Sequence, residues 1–383
     1  MKKIVSTLLI AVLLVALFLS GSQTEKEKAR KREAQEKLKI GVILVGDETE
    51  SYSYSHIRGI QAAAKKQDID KAQIKWKTRV DEPGECYDAA KELAADGCSL
   101  IISDSSSLED EVQKAAEEFS DVQFVCIGGN LAKESGLSNF FNASTRLPEA
   151  RYVSGVIAGM KLAELASTGA LSEINYDENG NIRIGFVGSF PDEASRNDYA
   201  AFYFGVRSVI PNIHMDVEYT HCLYDMEVET TAADALMNLG CVIIAQHDGS
   251  TAVPGAIQAR KDAGETVYYV GCNTDMLSVA PDAGLTSAVS NWKSYYTKLF
   301  YAAKKQKGLT QDWTGGYKEK AVAVTEPGPE CAEGTEGAAQ TVIEQLQSGG
   351  LQVPAVSELP EGAVVEGTDM PKPADYLSAQ QKN

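Results

Sequence analysis

The sequence predicts an α/β protein built from two doubly wound parallel sheets. Short apolar runs alternate with helix-length segments, most of these runs end at polar or small residues, and the pattern restarts near residue 149. The chain has 383 residues, 44% of them hydrophobic, which is enough for two domains with a sizeable core.

The first half of the chain supplies four strands separated by helices. Apolar runs bounded by turn residues are typical of buried parallel strands, and helices of roughly 10–15 residues between them indicate βαβ units. The expected strands are Lys39–Val45, Ile74–Arg79, Ser99–Ile102 and Val122–Ile127. The expected helices are Ser53–Lys66, Cys86–Asp96 and Glu109–Phe119.

The second half opens on a long helix whose small residues, Ser154, Gly155, Ala158 and Gly159, suit close packing. The expected strands are Ile182–Gly188, His214–Thr220, Cys241–Ala245, Val267–Gly271 and Leu285–Ser290. The expected helices are Glu149–Ala166, Ala194–Ile210, Glu227–Leu239, Val253–Ala263 and Tyr295–Lys305. Two such units, each with polar strand tips, predict two lobes that face each other across a ligand-binding cleft.

The N-terminus has the pattern of an export signal. Lys2 and Lys3 precede an apolar run to Leu19 that is shorter than the about 20 residues of a spanning helix. Ser22 stands where bacterial lipoproteins carry the lipidated Cys and has no thiol, so a lipid anchor is not expected; cleavage after Ser22 and an uncleaved anchor both remain open. We expect a signal or anchor at 1–22, a charged spacer at 23–38, and an extracytoplasmic protein associated with the membrane through its N-terminus.

Charge and composition exclude several classes of function. The net charge of -18, without a basic patch beyond the N-terminus, argues against nucleic acid as a partner. The seven Cys lack metal-ligand spacing and the four His form no helical pair, so we expect no metal site, no cofactor, and mostly buried cysteines. Without a nucleophile elbow or paired carboxylates, the chain is expected to bind a ligand and not to be an enzyme, and no catalytic residue is assigned.

The turn after the first strand carries a cluster of aromatic and hydroxyl side chains: Tyr52, Ser53, Tyr54 and His56. Aromatic rings there can stack on a planar ligand while Ser and His give directional hydrogen bonds. The alternative is a helix start capped by Ser with Tyr packed beneath. The position at a strand's carboxyl end favours ligand binding.

Two further strand tips present polar groups. Asp104 and Ser105 open a helix and can hold a polar ligand edge, although simple helix capping explains them equally well. Gln246, His247 and Asp248 end the apolar run that starts at Cys241, and amide and carboxylate groups together can pair with the edge of a heterocycle. We expect them to bind ligand, and the alternative is a polar turn in which Asp248 caps the next helix.

Three residues later in the chain complete the candidate site. Asp275 ends its strand, where it can accept hydrogen bonds from sugar hydroxyls or cap the following turn. Asn291 and Trp292 lie between a strand and a helix; Trp292 is interpreted either as a ring-stacking wall or as a packing residue of the hinge.

Several motifs, in order and over residues 39–351, give a family resemblance. Tyr52–His56 matches an aromatic-Thr-Tyr-x-His run, and Ala245-Gln246-His247 matches the start of an Ala-Gln-His-Thr-Asp-Ser segment, with Asp248-Gly249 in place of Thr-Asp. The remaining matches are Arg146, Glu149, Arg151, Tyr152, Gly155, Ala158 and Gly159 in one helix, Gly271–Met276, and Leu285–Tyr296. The chain therefore resembles the basic membrane protein (PnrA-like) family of solute-binding proteins of ABC transporters, in its purine or nucleoside branch.

The resemblance implies a bilobed type I periplasmic-binding-protein fold with hinge crossovers near Thr145, Asn273 and Lys307. Lobe 1 is then expected to comprise 39–145 and 274–306, and lobe 2 to comprise 146–273 and 307–350. The Pro-, Gly- and acid-rich segment 351–383 is expected to be an extended or disordered tail.

The resemblance also implies a monomer that captures a purine nucleoside or base and delivers it to an ABC permease. The implied stacking residues are Tyr52, Tyr54 and Trp292. The base edge is assigned to Gln246, Asp248 and Asn291, and the sugar or an equivalent polar edge to Asp275 and Ser105. The alternative from another class is an exported sensor domain that reports a solute to a signalling partner.

Overall fold

The computed structural model describes residues 38–247 and 249–367. The signal segment expected at 1–22, the spacer apart from Leu38, and residues 368–383 of the expected tail lie outside this part of the chain. No helix within the described residues is both long enough and apolar enough to cross a membrane.

Strands and helices alternate along most of the chain. The strands are β1 (Ile40–Ile43), β2 (Ile74–Lys77), β3 (Leu100–Ser103), β4 (Gln123–Ile127), β5 (Phe140–Thr145), β6 (Ile182–Gly188), β7 (Ile213–Tyr219), β8 (Ile243–Gln246), β9 (Tyr268–Cys272), β10 (Gly284–Ser290), β11 (Asp312–Gly315), β12 (Val322–Val324) and β13 (Val364–Glu366). The helices are α1 (Ser51–Lys66), α2 (Pro83–Ala95), α3 (Glu109–Glu118), α4 (Ala132–Ser135), α5 (Leu147–Thr168), α6 (Glu193–Val209), α7 (Met226–Asn238), α8 (Ala252–Asp262), α9 (Trp292–Lys304) and α10 (Thr335–Ser348).

The first compact unit comprises residues 38–44, 61–142 and 296–312. It contains most of a six-stranded sheet with the order β11-β5-β4-β3-β1-β2. β1 runs parallel to β2 and β3, and β3 runs parallel to β4. Every residue of β1 and β3 is buried, as expected for parallel strands covered on both faces. The predicted parallel sheet in the first half of the chain is confirmed.

The second compact unit comprises residues 45–60, 143–295 and 313–367. Its seven-stranded sheet has the order β12-β10-β9-β8-β6-β7-β13. The strands from β6 to β10 pair in parallel, and β12 adds an antiparallel edge to β10. Large buried side chains, including Phe186, Phe202 and Val206, form its core. The second predicted parallel sheet is therefore present as well.

The boundary between the two units differs from the expected one. Residues 274–306 were expected in lobe 1, after a crossover near Asn273. In the structure β10 pairs with β9, with Ser287 opposite Gly271, so 274–295 belongs to the second unit. The start of α1, within residues 45–60, also belongs to the second unit. These memberships depend on long-range pairing, which the local apolar pattern does not encode.

Helices α5 and α6 pack closely in the second unit. α5 begins with Pro148 in its first turn and ends at Gly169, whose φ of 70° gives the left-handed cap that favours glycine. An added Cβ at Gly155 would lie 2.2 Å from the carbonyl oxygen of Phe202. The small residues of α5 therefore allow close helix packing, as predicted.

The segment 351–367 is ordered against the second sheet, in contrast to the expected extended or disordered tail. β13 pairs in parallel with β7. The Glu366 carboxylate accepts hydrogen bonds from Arg196 Nε at 3.1 Å, Tyr199 Oη at 2.8 Å and Tyr219 Oη at 2.9 Å. Strand pairing and one carboxylate with three donor residues thus hold this segment, although its composition alone resembles that of a disordered tail.

The variant Glu366→Gln is expected to lower the free energy of unfolding by about 1 kcal/mol, because a partly exposed charge-assisted network is weakened. Hydrogen bonds from Arg196, followed by those of Tyr199, hold the pKa of Glu366 below its ordinary value. The contribution of ionised Glu366 to the free energy of unfolding should therefore be complete above the pH at which carboxyl groups ordinarily titrate. It should disappear as the pH falls through the pKa of Glu366 in the folded protein. Urea denaturation at neutral and acid pH measures this difference.

The matched control is Glu361→Gln, since Glu361 is exposed in the same segment. It should leave stability nearly unchanged. Equal losses in both variants would show that Glu366 does not fasten the segment.

Candidate functional site

Three of the predicted site residues form an aromatic cluster in the second unit. The Tyr52 ring meets the His56 ring edge-on at 4.8 Å, and the His56 ring lies 4.3 Å from that of Trp292. Trp292 is 4% exposed and His56 is fully buried. Burial lowers the pKa of His56 to about 3, so the ring is neutral. In this structure the Trp292 ring packs against the His56 ring.

The start of α1 is fixed by backbone contacts and by an acidic cap. The Glu50 carboxylate accepts from the backbone N–H of Tyr52 at 2.6 Å and of Ser53 at 2.7 Å. The N–H of Ser51 donates to the carbonyl oxygen of Gly249 at 3.0 Å. The helix that carries Tyr52 and His56 is therefore bonded directly to the loop that follows β8.

Ser53 and Tyr54, also predicted to bind ligand, make local contacts. Buried Ser53 accepts a hydrogen bond from the N–H of Gly46 at 3.1 Å and so stabilises the turn before α1. The Tyr54 hydroxyl accepts from Arg58 Nη1 at 3.1 Å, and the guanidinium lies 5.8 Å from its ring centre.

Asp104 and Ser105 lie in the first unit, directly after β3. Ser105 accepts from the N–H of Ser107 at 3.2 Å and thereby caps the short helical turn Ser106–Leu108. Asp104 is fully buried, and its backbone N–H donates to the carbonyl oxygen of Ile43 at 3.1 Å. Capping, the alternative interpretation of Ser105, is what the structure shows.

The side chains of Asp275 and Asn291 likewise form hydrogen bonds with backbone groups. An oxygen of the Asp275 carboxylate accepts from the N–H of Leu277 at 3.0 Å. The side-chain amide of Asn291 donates to the carbonyl oxygen of Lys320 at 2.9 Å. The geometry places each in a turn.

The carboxyl end of β8 carries one buried and one accessible polar side chain. Gln246 is fully buried, and its Nε2 donates to the carbonyl oxygen of Ser250 at 3.2 Å. The His247 side chain is 25% exposed. Asp248 lies outside the described residues. Of the two described side chains, that of His247 is the accessible one.

Two residues that were not predicted to belong to the site hold His247 in place. Asp198 Oδ2 lies 2.9 Å from His247 Nδ1 and accepts from Arg151 Nε at 3.0 Å. Arg151 Nη2 also donates to the carbonyl oxygen of Gln246 at 2.8 Å. Arg151 is fully buried and Asp198 is 3% exposed. Burial acts to raise the pKa of Asp198, but Arg151 and His247 outweigh it, and the pKa lies below its ordinary value.

A sequence signal for these two residues existed. Arg151 precedes Gly155 by four positions, and Asp198 precedes Phe202 by four, so each lies on the packed face of its helix. A charged residue on such a face needs a partner, because an unpaired buried charge is costly. A salt bridge between Arg151 and Asp198 could therefore have been predicted from the sequence.

His247 lines a cavity of about 720 Å³ within the second unit. Its polar lining includes Asn197, Asp198, Arg146 and Lys318. The volume lies within the range of about 300–1,000 Å³ typical of small-molecule sites. His247 is the one predicted site residue among the cavity-lining residues of the described chain.

The loop after β8 also depends on a buried acid. The Glu229 carboxylate is fully buried and accepts from the Ser250 hydroxyl at 2.5 Å and the Asp225 N–H at 3.2 Å. Ser250 Oγ accepts in turn from the N–H of Ala252 at the start of α8. Burial, opposed by the hydrogen bond from Ser250, raises the pKa of Glu229 to about 7.

The raised pKa of Glu229 predicts a loss of stability with increasing pH. The folded protein retains a proton that the unfolded chain releases above about pH 4.3. Stability should therefore fall from there until the folded pKa of about 7 is passed. Glu229→Gln should flatten this part of the profile and be more stable than the unmodified protein above neutral pH, by about 1–2 kcal/mol. Thermal denaturation across this pH range measures the slope.

Glu227→Gln is the matched control, because Glu227 is exposed on the first turn of the same helix. It should keep the slope of the unmodified protein. A Glu229→Gln profile parallel to that of the control would contradict the assignment.

Among residues 38–247 and 249–367, no cluster of three His, Cys, Asp or Glu side chains is arranged to hold a metal ion. Five cysteines, Cys86, Cys98, Cys126, Cys241 and Cys272, are buried, in agreement with their interpretation as small apolar residues.

Comparison with known proteins gives one family and a common fold. The family model for Bmp, described as ABC transporter substrate-binding protein PnrA-like, matches residues 37–360. The segment fastened by Glu366 extends beyond this match.

Individual proteins are similar over most of the chain. A purine-binding protein of Brucella abortus is 31% identical over 291 residues, which cover 75% of this chain and 74% of that protein. A candidate ABC transporter glucose-binding protein of Haloferax volcanii is 24% identical over 302 residues, 79% of this chain and 70% of its own length. The structure of an ABC transporter solute-binding protein from Conexibacter woesei superposes with a TM-score of 0.67 at 16% identity, over 83% of this chain and 99% of the other. This last similarity shows the periplasmic-binding-protein fold.

Proposed function

Because the chain belongs to the PnrA-like family of ABC transporter substrate-binding proteins, we propose that its solute is a purine base or nucleoside. The family consists of extracytoplasmic proteins that bind a small molecule and work with a membrane permease, and they are not enzymes. The proposal concerns the identity of the solute and its capture by a monomer.

The observation that carries the proposal is the 31% identity to a purine-binding protein over three quarters of the chain. The geometry of the second unit is compatible with it. A cavity of about 720 Å³ is large enough for a nucleoside, and His247 and Asn197 offer directional hydrogen bonds to a heterocycle. The 24% identical relative named for glucose defines the competing solute class.

Equilibrium dialysis tests the solute class without assuming one compound. The full chain is dialysed against an equimolar mixture of purine bases, purine nucleosides, pyrimidine nucleosides and hexoses, and mass spectrometry measures which compound it enriches. We expect enrichment of a purine compound. Enrichment of a hexose alone, or of nothing, would overturn the proposed solute and leave the family assignment intact.

A comparison of purine bases with their nucleosides in the same mixture then defines the solute further. Preferential enrichment of the nucleoside would indicate contacts with the sugar. Equal enrichment would indicate that recognition is confined to the base.

A further inference from the structure

Asp198 is held as a charged acceptor deep in the second unit. It is 3% exposed and lies beside fully buried Arg151, whose Nε donates to Oδ2 at 3.0 Å. Arg151 is also fixed from the other side, because its Nη2 donates to the carbonyl oxygen of Gln246. A guanidinium cannot lose its proton in a protein, so it favours the carboxylate form of Asp198.

A carboxylate accepts hydrogen bonds and cannot donate them. His247 Nδ1, at 2.9 Å from the same Asp198 oxygen, must therefore carry a proton. In a neutral imidazole one nitrogen carries the proton and the other presents a lone pair, and the partner of one nitrogen determines the role of the other. The acidic partner at Nδ1 thus makes Nε2 the acceptor.

The backbone places this ring at the cavity. The N–H of His247 donates to the carbonyl oxygen of Val187 at 2.7 Å, which fixes the residue at the carboxyl end of the sheet. The side chain remains 25% exposed and lines the cavity of about 720 Å³ together with Asp198. The side chain is therefore fixed at Nδ1 while part of the ring remains accessible to a solute.

We propose that Asp198 is a positioning residue that holds His247 as the Nδ1–H tautomer, so that Nε2 accepts a hydrogen bond from an N–H or O–H group of the bound solute. The ligand half of this proposal rests on the proposed function. A purine nucleoside offers such donors in its ring N–H, exocyclic amine and ribose hydroxyl groups. Arg151 acts indirectly, because it keeps Asp198 in its charged carboxylate form.

Nitrogen-15 NMR of the imidazole rings tests the tautomer without any ligand. The full chain, labelled in its four histidines, is measured as the pH is raised to about 9, well above the ordinary histidine pKa. His247→Gln assigns the signals of His247. We expect a protonated Nδ1 and an unprotonated Nε2 in the unmodified protein, and a shift towards Nε2–H in Asp198→Asn.

A His247 ring protonated at Nε2 alone, or at both nitrogens up to the highest pH, would overturn the proposal. The spectrum of the unmodified protein decides this even if Asp198→Asn does not fold. An unchanged tautomer in a folded Asp198→Asn variant would remove Asp198 from the positioning role.

Calorimetry with adenosine, guanosine and inosine tests the ligand half. For the nucleoside that binds best, His247→Phe should weaken affinity roughly tenfold to hundredfold, the cost of an unmet hydrogen bond. His247→Gln retains an acceptor oxygen and should lose less. His221→Gln is the control, because His221 is not among the residues that line the cavity.

Equal affinity of His247→Phe and the unmodified protein would overturn the ligand half. If no nucleoside binds the unmodified protein, the proposed function fails and the ligand half fails with it. The NMR result then still decides the tautomer.

Discussion

Replacing Arg151 with methionine is expected to lower the free energy of unfolding by about 3–5 kcal/mol. Methionine fills a similar volume, but it leaves the Asp198 carboxylate buried without its cationic partner, with His247 Nδ1 as a remaining hydrogen-bond partner. It also removes the donor to the carbonyl oxygen of Gln246. The loss should therefore exceed what the removal of an exposed charge produces.

Chemical denaturation of the two variants Arg151→Met and Arg207→Met measures this effect. Arg207 is exposed on α6, so its replacement should change stability by less than about 0.5 kcal/mol. The double variant Arg151→Met/Asp198→Asn should recover part of the loss, because the unpaired charge is gone. A buried ion pair would be contradicted if Arg151→Met lost little stability. It would also be contradicted if the double variant lost more free energy of unfolding than the two single variants lose together.

Gly155→Ala is expected to destabilise the second unit by about 3 kcal/mol or more. The added methyl carbon would lie 2.2 Å from the carbonyl oxygen of Phe202 and 2.9 Å from the Cα of Gly205. Both atoms belong to the backbone, so no side-chain rotation can relieve the overlap. α5 and α6 would have to move apart, which opens the core that they share.

Gly337→Ala provides the matched control in helix α10. Nothing lies within 4 Å of a Cβ added there. Alanine is the better helix former, so this variant should be more stable by about 0.5–1 kcal/mol. Stability changes of opposite sign for the same Gly-to-Ala substitution would distinguish the effect of close helix packing from that of helix propensity. Equal tolerance of alanine at both positions would disprove the close approach of the two helices.

Much of the fold follows from local sequence. The strand Ile182–Gly188 has the predicted bounds, and α6 differs from the prediction by one residue at each end. Such segments combine an apolar run, or a helical apolar face, with clear turn residues at both ends. Parallel pairing then follows because helices connect successive strands.

The local sequence did not predict which segments belong to which unit, nor that residues 351–367 are ordered. β10 joins the second sheet through its pairing with β9, and the same apolar composition would fit either sheet. The segment 351–367 is held by the pairing of β13 with β7, by apolar side chains packed on the core, and by the Glu366 carboxylate. Interactions between residues far apart in sequence decide both cases.

The contacts of the candidate site residues followed from the sequence in part. Polar residues do follow the strands as predicted, but capping and ligand binding use the same residue types, and Ser105 and Asp275 cap turns. Trp292 packs on His56, although an aromatic residue at this position also suits stacking on a ligand. Asp198 was missed because its importance depends on its pairing with Arg151 in the folded chain.

Isothermal titration of the full chain with adenosine, guanosine, inosine, hypoxanthine and glucose tests the central claim most directly. The proposed function predicts saturable binding of at least one purine compound, with a Kd in the micromolar range or below, and no binding of glucose. Saturable binding of glucose, or no binding of any of the four purine compounds, would contradict it.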